Sequence, residues 1–171
     1  TNVRLAAYRT LARPSFREFS PLILFPFNGD YEVWGNPDLE RTLINNFDLR
    51  WEWFPGVNEL FSASLFFKQF DKPIQQAIRV NTTNLFIQYE NVPQALAYGL
   101  ELEFRKNLSF LGEGAIWENL QISGNAAFIE SRVDIPDSEY EAIIAVDPTR
   151  EQYRPLFGQS PYTVNGELAY I

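Results

Sequence analysis

The 171 residues carry 22 acidic and 14 basic side chains, a net charge of -8, which excludes a nucleic-acid partner that would need clustered Lys and Arg against phosphates. Cysteine and histidine are both absent, so disulfide frameworks, Cys/His zinc sites and His-dependent nucleophiles are excluded. Weighed with the carboxylates considered below, the expectation is no cofactor, no metal and no catalytic residue. No apolar run reaches the length of about 18 residues that a spanning helix requires, whereas a spanning strand needs only about 9 to 11 alternating residues.

Six segments alternate bulky apolar with polar side chains, the period-two pattern of a strand with two unlike faces. The first, roughly 2 to 10, sets Val3, Leu5 and Ala7 against Arg4 and Ala6. The second, roughly 40 to 54, sets Phe47, Leu49, Trp51 and Trp53 against Asn46, Asp48, Arg50 and Glu52. The third, roughly 59 to 70, sets Phe61, Ala63, Leu65 and Phe67 against Ser62, Ser64 and Lys68, with Phe66 breaking the alternation. The fourth, roughly 94 to 106, opposes Leu96, Tyr98, Leu100, Leu102 and Phe104 to Gly99, Glu101, Glu103 and Arg105. The fifth, roughly 118 to 133, places Leu120, Ile122, Ala126 and Phe128 against Gln121, Ser123 and Asn125. The sixth, roughly 162 to 171, places Tyr162, Val164, Leu168 and Tyr170 against Thr163, Asn165 and Glu167.

All 11 prolines avoid the interiors of these segments, as they must where each N–H belongs to a ladder. Segments two and three are joined by a tight turn at Pro55-Gly56, and segments four and five by a moderate link from Asn107 to Trp117. The other connections, roughly 11 to 39, 71 to 93 and 134 to 161, are long. Three long loops are unusual in a compact soluble domain and usual on the outer side of an outer-membrane barrel, whose other side has short turns.

At roughly 100 Å² apiece, the apolar side chains of the six segments outgrow the few hundred Å² that a soluble monomer leaves exposed, so that face needs a cover. Lipid is one cover; the polar residues then line a wet lumen, and the aromatics at the segment ends form interface girdles, Trp51, Trp53, Phe54, Phe61 and Phe104 at one level and Tyr98, Phe67, Phe70, Phe128 and Tyr162 at the other. A soluble β-sandwich acting as a carbohydrate-binding module is the alternative cover.

The stretches RPSFREFSP (13–21), GNPDLERTLINNFDLRWEWFPG (35–56), LFFKQFDKPI (65–74), AYGLELEFRKNLSFL (97–111) and GQSPYTVNGELAY (158–170) resemble, in order and spacing, the later barrel region of TonB-dependent outer-membrane receptors. One departure is minor: Asn36-Pro37-Asp38-Leu39 runs on into Glu40-Arg41-Thr42 where the family usually has a Pro-Glu pair. The resemblance implies an all-β fold, an antiparallel up-and-down transmembrane β-barrel segment of about six strands with three long extracellular loops. It implies that residues 1–171 are a partial barrel region lacking the plug domain and the final strands. The implied location is the bacterial outer membrane and the implied work is import of an iron-siderophore, vitamin or oligosaccharide. Outer-membrane lipid, the protein's own plug domain, the TonB energy-transducing complex and a small-molecule or oligosaccharide ligand are the implied partners.

On this reading Asn46, Asp48, Arg50, Glu52, Glu101, Glu103 and Arg105 face the lumen. The first long loop offers Arg13, Arg17, Phe25, Phe27, Tyr31 and Trp34 as ligand contacts, since rings and guanidinium groups hold siderophores or glycans by stacking and charge. Two carboxylates two residues apart, Glu101 and Glu103, also fit a glycosidase pair, with a polar ladder completed by Arg105 as the simpler reading. The acidic stretch Asp134, Asp137, Glu139 and Glu141 lacks the spacing of a calcium loop and reads as a solvated loop.

Overall fold

A computed structural model describes residues 1–25, 31–80 and 85–171. In chain order the elements are β1 (Asn2–Ala12), α1 (Phe16–Phe19), β2 (Ile23–Leu24), β3 (Glu32–Trp34), β4 (Thr42–Trp53), β5 (Leu60–Asp71), β6 (Ile74–Val80) and β7 (Leu85–Asn91). There follow β8 (Gln94–Asn107), α2 (Ala115–Asn119), β9 (Leu120–Asp134), α3 (Asp137–Ile144), β10 (Tyr153–Arg154) and β11 (Tyr162–Tyr170). No helix among the described residues is long and apolar enough to cross a membrane.

The six expected segments are the six long strands β1, β4, β5, β8, β9 and β11, and they form one antiparallel sheet in that spatial order. Each of these strands pairs with the next long strand in the chain, the up-and-down arrangement. At the β4–β5 turn Asn58 takes φ 59°, a left-handed conformation that Asn tolerates, and Trp53 faces Phe61 across the last paired position.

Register fixes the faces, since a one-residue slip would exchange them. Leu5, Leu49, Leu65, Leu100, Phe128 and Tyr162 stand opposite one another across the six strands. Flanking positions on this face add the ring pairs Phe47–Phe67, with centroids 6.3 Å apart, and Trp53–Phe61, 5.6 Å apart. The other face carries Arg50, Ser64 and Glu101 in one cross-strand row and Glu52, Ser62 and Glu103 in the next.

Burial is inverted relative to a soluble protein. Leu5 is 82% exposed, Leu65 54% and Phe128 51%, while Asn46, Glu52 and Ser62 retain only 4%, 6% and 5%. The face that a sandwich would bury against a second sheet is bare, and nothing among the described residues packs over it.

Phe66, the residue that breaks the alternation of β5, lies on the polar face opposite Gly99. A Cβ built on Gly99 would come within 2.8 Å of the Phe66 ring and 2.4 Å of the Phe128 carbonyl oxygen, so the ring fills the place of the missing side chain. Gly99→Ala is expected to lower stability by about 1 to 3 kcal/mol through overpacking. The heat-induced mobility shift of the folded barrel on a gel checks this, and an unchanged transition would refute the packing role.

The long connections are not structureless, contrary to their plain appearance in sequence. The first two combine into a second sheet in the order β2-β3-β7-β6, in which β3 runs parallel to β7. The β6–β7 hairpin extends the β5–β8 hairpin outward across a kink where Lys72 takes φ 52°, and the Lys72 N–H to Pro93 oxygen and Val92 N–H to Pro73 oxygen bonds carry the ladder through at 3.2 and 2.9 Å. The start of β4 is tied to this kink: the Asn91 amide donates to the Glu40 and Lys72 carbonyls at 3.1 and 2.7 Å and accepts from the Glu40 N–H at 2.8 Å. Lys72 Nζ sits 2.7 Å from Glu40, whose carboxylate raises the ammonium pKa above its ordinary value. Glu40, the residue at the family departure, thus has a structural role at the base of the outer loops.

The third connection holds α3 and β10 and returns across the polar face of the main sheet, where the Leu156 N–H donates to Ser131 Oγ at 2.9 Å. Val92, Ala95 and Val133 form a small core there with Phe70 and Leu156. This corrects the expectation that Phe70 belongs to the outer aromatic girdle: its register partners Ile44 and Ala95 place it on the opposite face from Phe67. Its neighbour Phe67 keeps the girdle face, with Tyr98 and Phe128.

Candidate functional site

Two groupings of polar and aromatic side chains have the geometry of functional sites, one on the sheltered face of the main sheet and one in the first long connection. On the sheltered face, four strands contribute to a charge ladder. Arg4 of β1 lies 3.2 Å from Glu52 of β4, Glu52 lies 2.9 Å from Arg50, and Arg50 reaches across β5 to Glu103 of β8 at 2.9 Å. Arg50 also donates to Ser64 Oγ at 3.0 Å, while Ser62 Oγ donates to Glu103 at 3.4 Å. Guanidinium forks suit this bridging because one group supplies several donors in a fixed plane.

The other residues of that face take separate places. The Asn46 amide is buried and donates to Thr10 Oγ1 at 3.0 Å and to the Ile44 carbonyl at 3.1 Å, which makes it a brace between β1 and β4. Asp48, Arg50 and Glu101 line a cavity of about 510 Å³ with Phe66, Lys68 and Gln159. Glu103 and Arg105 line a smaller one of about 200 Å³ with Asn125 and Glu167. Glu103 is committed to Arg50 and Ser62, an arrangement of a structural ladder rather than of an acid and base flanking a cleft.

The first connection is organised by α1. The Ser15 N–H donates to Glu18 Oε2 at 2.7 Å at the start of this turn, and the Asn36 N–H donates to the Glu18 carbonyl at 2.7 Å. Gly35 passes so close to the Ser20 carbonyl that a Cβ there would lie 1.8 Å from its oxygen, so only glycine lets the exit of β3 dock on α1. These contacts give the RPSFREFSP and GNPDLE stretches one shared purpose, the fixing of loop against loop.

Between α1 and β2 opens a groove of about 630 Å³ lined by Phe16, Arg17, Leu22, Leu24, Phe25 and Val33. Two of the six expected ligand residues, Arg17 and Phe25, meet there. Arg13 and Tyr31 are exposed outside the lining, and Phe27 lies outside the described residues. Trp34 also lies outside the lining: its ring packs tilted against Phe86 with centroids 4.6 Å apart, and its indole N–H donates to Glu32 at 3.1 Å. Nothing in the sequence marks Phe16, Leu22 and Leu24 as lining residues, because a lone ring and the short unbroken apolar run Leu22-Ile23-Leu24-Phe25 carry no periodic signal.

Two residues of the acidic stretch in the third connection are paired within the fold, while Asp134 and Glu141 are exposed. Glu139 pairs with Arg154 at 2.6 Å, Gln152 donates to Asp137 at 2.7 Å, and no cluster able to hold a metal ion occurs among the described residues.

The sequence profile described as TonB dependent receptor-like, beta-barrel matches residues 1–170. A search of curated protein sequences finds no match. Among solved structures, the siderophore receptor PirA of Pseudomonas aeruginosa is similar at TM-score 0.58 and 20% identity, over 80% of this chain and 28% of that one. A mutant of the ferric enterobactin receptor PfeA, from the same organism, is similar at TM-score 0.57 and 16% identity, over 98% of this chain and 23% of that one. The chain therefore spans about a quarter of the length of these receptors, and at such identities the likeness is one of fold.

Proposed function

The chain belongs to the family of TonB-dependent receptor-like β-barrels, outer-membrane proteins of Gram-negative bacteria, and on that premise we propose that it forms part of the wall and outer loops of a transporter importing a ferric siderophore. The observation that carries the wall assignment is the inverted burial of the main sheet, leucine bare on one side and paired charge sheltered on the other. A hydrocarbon solvent stabilises the first face and a hydrated lumen the second. Asn46, Asp48, Arg50, Glu52, Glu101, Glu103 and Arg105 then look into the lumen, where the plug domain of the whole receptor meets them, and the TonB complex acts on that plug.

Siderophore receptors among the structural neighbours support the iron-complex reading over a vitamin or an oligosaccharide. Chemistry in the first loop agrees with it. Anionic, ring-bearing iron chelates are held by a cation beside aromatic faces, and Arg17 with Phe16 and Phe25 offers that pairing at an exposed groove.

Uptake of labelled ferric siderophores by iron-starved cells, with and without the full-length receptor, tests the substrate class. Arg17→Ala and Phe25→Ala, made in the full receptor, are each expected to weaken binding about tenfold, the effect of losing roughly 1.4 kcal/mol at a contact. Uptake that is indifferent to the receptor under iron starvation would sink the iron-complex proposal and leave the barrel assignment standing.

A further inference from the structure

The link between β8 and β9 is long for a turn on the short-turn side of a barrel, and it is built to an amphipathic plan. It contains a 3-10 turn at Ser109–Leu111 and the short α2. Phe110 and Ile116 are each 66% exposed and Leu111 54%, an apolar group standing free at the end of the wall. The Trp117 ring covers Gly112, whose built Cβ would lie 2.7 Å from the indole nitrogen, so the link is closed on itself and holds these side chains outward. Glu113 and Glu118 supply its polar side.

Its position relative to the apolar band follows from β8. Lys106 continues the alternation of Leu100, Leu102 and Phe104 and therefore sits on the apolar face, opposite Ile122. Leu100 is the centre of the apolar run of its strand, and Lys106 is six residues farther along. At roughly 3.4 Å per residue and a tilt of about 45°, those residues span roughly 14 Å of depth, close to half of a hydrocarbon layer about 30 Å thick. Lys106 Nζ pairs there with Glu59 at 2.7 Å, an ion pair on the outer face where the hydrocarbon ends. The same ammonium lies 5.8 Å from the centre of the Phe110 ring. Phe110 is thus continuous with the lipid-facing surface at headgroup depth, the level where aromatic side chains partition.

We propose that the 108–119 link lies in the periplasmic leaflet as an interfacial anchor, with Phe110, Leu111 and Ile116 in the boundary between phospholipid headgroups and acyl chains and Glu113 and Glu118 toward the periplasm. The assignment rests on the wall orientation given above. It explains why a connection that needs only a few residues carries bulky apolar side chains that stand largely exposed.

Single cysteines at Ile116, Glu113 and Leu65, each carrying a nitroxide in the full-length receptor reconstituted in phospholipid vesicles, test it. Collision with oxygen is expected to dominate over collision with a water-soluble nickel chelate at Ile116→Cys and Leu65→Cys, and the ratio is expected to reverse at Glu113→Cys. A water-dominated Ile116 beside a lipid-dominated Leu65 would overturn the anchor and leave the wall orientation intact. A label at Ile116 shielded from both reagents would also overturn it, in favour of a protein contact. A water-dominated Leu65 would instead strike the orientation itself. Quenching of a fluorophore at Ile116→Cys by vesicle lipids brominated near the headgroup gives a second reading that does not depend on collision rates.

Discussion

Leu49→Lys and Leu100→Lys are each expected to destabilise the folded receptor by roughly 2 to 4 kcal/mol in a phospholipid bilayer, the cost of a cation near the midplane. Both residues sit centrally in the apolar runs of their strands and pair directly with Leu65, so their side chains share one depth band of the same bare face. Trp53→Lys, at the girdle end of β4, is expected to cost only about 0 to 1 kcal/mol from the charge itself, because the penalty falls toward the interface. Equilibrium unfolding of the receptor in lipid vesicles measures all three. The gradient between Leu49 and Trp53 is the informative quantity, since on a lipid-facing wall the cost falls with distance from the midplane. Equal and negligible costs at both positions would refute the lipid-facing assignment.

Arg50→Ala is expected to cost about 2 to 4 kcal/mol, because it leaves the sheltered Glu52 carboxylate and the half-exposed Glu103 carboxylate without their shared donor. Arg4→Ala removes a largely exposed partner of Glu52 and should cost about 0 to 1 kcal/mol. A double-mutant cycle between Arg50→Ala and Glu103→Gln, followed by the same unfolding measurement, isolates their coupling. Additive effects would show that the ladder is a set of independent side chains, while a coupling of about 1 kcal/mol or more fits the Arg50–Glu103 bridge across β5. Because the lumen is wet, the observed values should fall in the lower part of the range, and added salt should reduce the Arg4 effect more than the Arg50 effect.

The wall was readable from the chain because a strand with two unlike solvents writes its face into every second residue. Phe47, Leu49, Trp51 and Trp53 against Asn46, Asp48, Arg50 and Glu52 is a period that survives without any neighbour, and all six long strands fall where such periods occur. Phe70 is a ring at the strand end, which suggests a girdle, but its parity, two residues beyond Lys68, puts it on the polar face, as its pairing with Ile44 and Ala95 shows. In the outer loops the signal failed for a different reason. Strand β3, at three residues, is too short to show a period, and its parallel partner β7 comes from another connection altogether. For the same reason nothing local to Trp34 reveals the Phe86 ring 4.6 Å away.

The sequence by itself determined the six long strands, the residues on each of their two faces and the position of the tight turn, all of which are written in the alternation of residues two apart or in one Pro-Gly pair. Tertiary structure decided the rest. It brought Arg4, Arg50, Glu52 and Glu103 from three strands into one ladder, laid Phe66 over Gly99, closed the groove beside Arg17, and carried the third connection back over the sheltered face. These features join residues tens of positions apart, and such pairings are selected by register and loop closure, which no window of neighbouring side chains encodes.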